Sequence, residues 1–249
     1  MEKKNIVFGR NPVLEYITEI KDSVGSTLYI AENSHGKIVD KIITEAKRCG
    51  VPIKKESKSF FASLGASSIH QGIALRISVK TSPVADLDVI ESTAAQKGII
   101  VILDHLTDPH NVGSIIRTAE ALGCGAVVLP KNHSVGITPT VIKSSAGATA
   151  HIPIISITNI ASFIDDLKKK GYWIIGSSDN AGAVLVEPQS ITALPRPIAL
   201  IIGNEGDGMK RLTIEKCDHI LKIPLKGKVS SLNASVAAGI LLYELIKYS

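Results

Sequence analysis

The sequence predicts an α/β protein in which a small α/β unit precedes a larger unit built on a mostly parallel sheet. Three observations point there. Apolar residues make up 45% of the 249-residue chain, enough for a sizeable core at a length that suits two modest domains. Short apolar runs alternate with longer stretches of helical period from about residue 86 onward, which is the βαβ pattern. The excess of positive charge is confined to the first third: residues 1–80 hold 13 Lys and Arg against 8 Asp and Glu, whereas residues 81–249 hold 15 of each.

Taken in order, Asn11–Ile20 reads as a helix, with Asn11 a plausible cap and Pro12 in the first turn. Ser26–Ala31 is strand-like. Gly36–Cys49 has helical periodicity and stops at Gly50. Val51–Lys54 reads as a short strand, Lys58–Leu64 as a short helix and Gly72–Val79 as a strand. Residues 81–85, polar and carrying Pro83, read as a linker between a domain at 1–80 and another at 86–249. In the second part Ile99–Leu103 is a continuous apolar run, the mark of a strand buried on both faces. Asn111–Leu122 reads as a helix closed by Gly123, and Ala126–Leu129 as the next strand. Ile152–Ile155, Trp173–Ser177, Ile198–Ile202 and His219–Ile223 are further strand candidates, and a last helix runs from about Ser231 to Ile246.

The net charge is +5, all of it in the first third, so that part is the candidate for contact with a polyanion. Candidate phosphate-contacting residues there are Arg10, Lys37, Lys41, Lys54, Lys55 and Arg76. A solvated lysine-rich face is the competing reading. Aromatic residues are 4% of the chain, so base stacking should matter less than phosphate contact. The three cysteines, Cys49, Cys124 and Cys217, lie far apart and in no metal spacing, which suits free thiols in a reducing compartment. The N-terminus does not read as a signal peptide, and no apolar run approaches the ~18–20 residues of a membrane span. These features lead to an expectation of a cytoplasmic protein without a metal.

Three loops follow predicted strands and carry polar residues unsuited to a core, at the end of the sheet where ligands bind. The first, residues 103–119, holds Asn111 and Arg117, six apart on one predicted helix and so on different faces. Asn111 suits a helix cap as well as a ligand; Arg117 suits a surface ion pair as well as a phosphate clamp. The second, residues 200–209, sets Gly203, Asn204, Glu205, Gly206 and Gly208 directly after a buried strand. Glycines there let backbone approach a ligand closely, yet the loop has neither a GxGxxG nor a GxxxxGK[ST] phosphate motif. The third, residues 223–237, has Ile223 and Pro224, then Gly227, then Ser230, Ser231, Leu232 and Asn233 before a helix rich in small residues. A serine cap of that helix is the plain alternative to a binding role.

Together these three segments make the chain similar to the SpoU family of RNA ribose 2′-O-methyltransferases, within the knotted SPOUT class. Asn111 and Arg117 match its first motif, Gly203 to Gly206 its second, and Ile223, Pro224, Gly227, Ser231, Leu232 and Asn233 its third. The segments Phe8-Gly9-Arg10-Asn11-Pro12-Val13 and His70-Gln71-Gly72-Ile73 resemble the substrate-binding domain, itself similar to ribosomal protein L30e, of the branch that modifies a guanosine of large-subunit rRNA. The resemblance implies a catalytic domain with a deep trefoil knot, S-adenosylmethionine as methyl donor, an RNA partner and a homodimer. It implies Asn111, Arg117, Glu205, Ser231 and Asn233 as catalytic residues. It implies Gly203, Asn204, Gly206, Ile223, Pro224 and Leu232 as cofactor-binding residues, acting largely through backbone groups. Arg117, given a base role in such enzymes, is read here as a phosphate-bound stabiliser, because a guanidinium stays protonated at neutral pH. Alternatives in the same frame are a tRNA or another rRNA site as target, or a non-catalytic RNA-binding or ribosome-assembly protein.

Overall fold

In the computed structural model the described residues are 6–19, 26–63, 70–77, 83–178, 184–185, 191–192, 194–228 and 231–247. They contain two sheets. The first has four strands in the order β1-β4-β2-β3: β1 Ile6–Phe8, β2 Thr27–Ala31, β3 Ile53–Glu56 and β4 Ile73–Arg76. Both neighbours of β4 run antiparallel to it, while β2 and β3 run parallel. Helices α1 Arg10–Glu19, α2 Lys37–Arg48 and α3 Lys58–Ser63 accompany it. The strands bury both faces: Val7, Leu28, Ile30, Ile73 and Leu75 join one core, and Ile6, Tyr29 and Ala74 pack with Phe61 on the other side.

The second sheet has seven strands, β5 Ile99–Asp104, β6 Ala126–Pro130, β7 Ile154–Ile157, β8 Trp173–Ser177, β9 Val184–Leu185, β10 Ile198–Gly203 and β11 His219–Lys222, in the order β7-β6-β5-β10-β8-β11-β9. All its pairings are parallel. Its helices are α4 Pro83–Ala95, α5 Pro109–Ala121, α6 Pro139–Ser144, α7 Ile160–Lys169, α8 Arg211–Glu215 and α9 Ala234–Lys247. The continuous apolar runs have a physical cause. In β5, Ile99, Val101 and Leu103 face one core while Ile100 and Ile102 face the other. In β10, Ile198, Leu200 and Ile202 alternate in the same way with Ala199 and Ile201. A strand covered on both faces has no polar side to show.

The strand order fixes where a site can form. From β5 the chain moves outward through β6 and β7. It then crosses to β8 and β9 on the far side, and returns to place β10 between β5 and β8. Neighbouring strands β5 and β10 therefore send their following segments in opposite directions. A crevice opens beyond the carboxyl ends of such a pair.

Several boundaries differ from the sequence expectation. The first helix begins at Arg10, because Gly9 at φ 94° turns the chain and its carbonyl accepts from Val13; Asn11 is then inside the helix and does not cap it. Strand β3 starts at Ile53, since Val51 is buried in the core and Pro52 offers only its carbonyl, to Leu28. The end of the expected linker is helical: Pro83 opens α4, a position where its missing N–H is harmless, and Asp86 falls in the first turn. Thr81 and Ser82 of that linker lie outside the described residues, as do Ile20, Leu64, Val79 and Ser230. Among the described residues no helix is long and apolar enough to cross a membrane.

Candidate active site

Strand β5 ends on Asp104, and the chain turns at His105 (φ 60°) toward α5. Asp108, not Asn111, caps α5: its carboxylate accepts from the His110 N–H at 2.8 Å, with Pro109 at the first helical position. Asn111 becomes the third helical residue, 6% exposed, and faces inward. Its amide nitrogen donates to Glu205 Oε1 at 2.8 Å, and its oxygen accepts from Asn233 Nδ2 at 2.9 Å. Asn233 in turn caps α9, its oxygen accepting from the backbone N–H of Ser235 at 2.9 Å and from the Ser235 hydroxyl at 2.6 Å. The serine cap considered for that helix is thus an asparagine cap.

The direction of this relay is forced. A helix N–H can only donate, so the Asn233 oxygen must face Ser235 and its nitrogen must face Asn111. That turns the Asn111 nitrogen toward the Glu205 carboxylate, which only accepts. A series of dipoles therefore runs from the start of α9 to one oxygen of Glu205 and joins all three loops. The second oxygen of Glu205 makes no hydrogen bond among the described residues.

The loop that carries Glu205 is closed on itself. Asn204 and Gly208 exchange backbone hydrogen bonds at 3.0 Å each way. A Cβ on Gly203 would lie 2.3 Å from the Met209 nitrogen, so only glycine fits that end of β10. The Asn204 side chain donates to the His105 carbonyl at 2.7 Å and accepts from the Gly206 N–H at 2.9 Å. Its polar atoms are thus used within the protein.

Beside this loop lies a cavity of about 300 Å³. Gly203, Asn204, Glu205, Gly206 and Gly208 form one wall. Ile223, Leu225, Ser231, Leu232, Ala234 and Ala237 form another, and Ser177 and Ser178 at the end of β8 complete it. Of the residues singled out in the sequence, Gly203, Asn204, Gly206, Ile223, Leu232, Glu205 and Ser231 line the cavity. Asn111 and Asn233 stand behind Glu205 and hold it. Pro224 is exposed and outside the lining. Arg117 is also outside: it is exposed on α5 and makes no ion pair or hydrogen bond among the described residues, so Glu205 does not orient it within this chain.

Sequence reasoning passed over Ser177 and Ser178, Leu225 and Asp104. Ser177 and Ser178 carry a weak signal, two small polar residues directly after a strand. Asp104 carries a better one, a carboxylate ending an otherwise unbroken apolar run.

The six basic residues considered for RNA contact do not form one patch. Arg10 and Lys37 lie at the end of the first sheet where Gly9 and Gly72 turn, with the Arg10 Nε donating to the Gln71 carbonyl at 3.3 Å. Arg76 lies at the other end, in register with Ile6 and Thr27, its guanidinium 5.9 Å from the Tyr29 ring centroid. Lys54 and Lys55 project from β3, the edge strand, and Lys41 from the exposed side of α2.

Comparison with known proteins locates these features. The profile of the SpoU rRNA Methylase family matches residues 98–243, and that of the RNA 2′-O ribose methyltransferase substrate-binding family matches residues 6–83. The chain is 38% identical over 249 residues to YacO of Bacillus subtilis strain 168, a protein assigned to the TrmH family of tRNA/rRNA methyltransferases. That alignment covers 99% of this chain and 96% of YacO. A Staphylococcus haemolyticus protein of the same assignment is 40% identical, over 97% of this chain and 95% of its own length. Among solved structures, the SpoU methyltransferase AviRb of Streptomyces viridochromogenes, crystallised with AdoMet, shares the fold with a TM-score of 0.66. It is 22% identical, over 97% of this chain and 89% of AviRb.

Proposed function

This chain belongs to the SpoU rRNA methylase family, and we propose that it transfers a methyl group from S-adenosylmethionine to the ribose 2′-hydroxyl of a guanosine in 23S ribosomal RNA, acting in the cytoplasm. The observation that carries this reading is the relay from Asn233 through Asn111 to Glu205, which draws three loops distant in sequence to one cavity. A protein kept only for RNA binding has no need of a carboxylate held so closely at the mouth of a ligand-sized space.

The cavity fits the donor. Ile223, Leu225, Leu232 and Ala234 offer an apolar wall for an adenine, and Gly203, Gly206 and Gly208 keep side chains out of the opposite wall, so a ligand can approach the backbone closely. Ser177 and Ser231 offer hydroxyls for the polar end. When bound, the donor supplies a methyl group already activated by a sulfonium sulfur. What remains for the protein is orientation. In this reading the unengaged oxygen of Glu205 accepts a hydrogen bond from a ribose hydroxyl, while its other oxygen is pinned by Asn111. That contact would orient the 2′-oxygen toward the activated methyl group.

Arg117 supports a paired enzyme. It stands exposed on α5, against which α9 packs; a Cβ on Gly239 would sit 3.9 Å from the Thr118 methyl. The outer face of α9 shows Val236, Ile240 and Tyr243, 49%, 37% and 56% exposed at one-face helical spacing. In a homodimer formed through this face, Arg117 completes a site across the interface and steadies the developing alkoxide. The interleaved positions of β10 and β11 support the trefoil knot as well, a rare exception to unthreaded connectivity.

The test is methyl transfer by the purified full chain from radiolabelled donor to total bacterial RNA, followed by mapping of ribose-methylated positions. Label on a 2′-oxygen of a 23S guanosine is expected. A 2′-oxygen in tRNA would keep the reaction and move the substrate; label on a base, or none, would overturn the assignment. In the same assay Arg117→Ala should nearly abolish turnover and leave donor affinity by calorimetry roughly intact.

A further inference from the structure

Asp104 is the last residue of β5 and is fully buried. A carboxylate is seldom placed there without partners, and each of its oxygens has its own. Oδ1 shares a hydrogen bond with the ring nitrogen Nδ1 of His105, and Oδ2 accepts from the backbone N–H of Lys210 at 2.9 Å. His105 sits at φ 60°, a left-handed region that few residues other than glycine enter and that histidine tolerates better than most. That turn directs its carbonyl to the Asn204 amide at 2.7 Å. Two fastenings therefore tie the 204–210 segment to the end of β5: His105 to Asn204 where the segment begins, and Asp104 to Lys210 where it ends. Glu205 lies between them.

Neither Asp104 nor His105 lines the cavity. We infer that they are positioning residues, a brace that holds Glu205 and the glycine wall of the cavity in register with Asn111. The loop itself is short, glycine-rich and exposed at Glu205, Gly206 and Asp207, so its own contacts alone would leave it several arrangements. The inference rests on reading the 203–208 loop as a donor-binding wall.

The experiment compares Asp104→Leu, Asp104→Asn and His105→Asn in the full chain. Two quantities are read: affinity for S-adenosylhomocysteine by calorimetry, and backbone hydrogen exchange by mass spectrometry. Asp104→Leu removes both acceptors and strands the Lys210 N–H. It should weaken product affinity by about 10- to 100-fold and raise exchange at 204–210 by a similar factor, with β5 and α9 unchanged. Asp104→Asn keeps an oxygen for Lys210 and turns its amide to the imidazole, whose neutral ring can accept at Nδ1 with its proton on Nε2, so it should recover most of the loss. His105→Asn tolerates the left-handed turn and loses only the ring, so it reports on the brace if the leucine variant does not fold. Recovery by Asp104→Asn, with the rise confined to 204–210, supports the brace. An unchanged loop, a rise spread evenly over the chain, or an asparagine variant no better than leucine would overturn it. If the wild type ignores S-adenosylhomocysteine while the loop still loosens as described, the donor assignment falls and the brace stands.

Discussion

In the seven-stranded unit most basic side chains around α7 and α8 are engaged: Lys168 meets Asp218 at 2.6 Å, Lys170 meets Glu91 at 2.6 Å, Lys216 meets Asp165 at 2.5 Å and Arg211 meets Glu215 at 2.8 Å. In the four-stranded unit Lys37, Lys41, Lys54 and Lys55 are exposed and make no ion pair with a described residue. The difference follows from what each region meets. A phosphodiester backbone repeats, and a cation that contacts it gains by releasing counterions wherever it lands, so exposed lysines without an ion-pair partner suffice. A methyl transfer tolerates no such latitude. At the carboxyl ends of β5 and β10 the polar side chains are bound to one another instead, from Ser235 to Glu205 and from Asp104 to Lys210.

The strongest way to break this contrast is at Glu205. Glu205→Gln leaves an oxygen for Asn111 but removes the charge and turns the unengaged oxygen into an NH₂ that can only donate. Single-turnover methyl transfer should fall by about 10²–10³-fold, the usual loss when one preorganised hydrogen-bonding group at the reacting centre is removed, with RNA affinity unchanged. RNA binding lost in step with transfer would mean that the two regions do not divide the work. Asn233→Ala is the next in size. It removes the cap of α9 and the donor to Asn111 together, so unfolding should cost about 1 kcal/mol less and transfer should fall by about 10-fold, the equivalent of one hydrogen bond. Denaturant melts and the same transfer assay separate the two effects.

Part of this arrangement is legible in the sequence. The unbroken apolar run at Ile99–Leu103 and the stop at Gly50 give element type and end, because both depend on local burial or backbone freedom. Asn111 and Asn233 stand out as polar residues opening apolar helices. Their mutual hydrogen bond, across 122 residues of chain, does not show, since no local rule pairs them. The insertion of β10 between β5 and β8 is equally long-range, and it is what brings Glu205 to Asn111. Asp104 is hidden for another reason: its partners are a backbone N–H and its own neighbour, neither marked by residue type. Charge is the most misleading signal of all. Equal numbers of acids and bases in residues 81–249 suggest an electrically bland unit, yet they conceal Lys226 and Lys228, unpaired among the described residues, on the exposed strap beside the cavity lining at Leu225.

The smaller effects sharpen the contrast, because they compare lysines of equal charge. Replacing Lys54 and Lys55 together by alanine should lower the slope of log affinity for RNA against log salt by about 1.4 to 1.8, at ~0.7–0.9 for each phosphate no longer neutralised. Lys168→Ala removes the same kind of cation from a partner it already holds: Asp218 binds Lys168 through one oxygen and the Ile174 N–H through the other. That lysine has little to exchange with RNA. Its loss should leave the salt slope within error and reduce stability by no more than about 1 kcal/mol, the upper range for a solvent-exposed pair. Filter binding across a salt series measures both variants on one RNA. Equal changes in slope would mean that position and pairing are irrelevant, and that the charge difference between the two regions is only a matter of count.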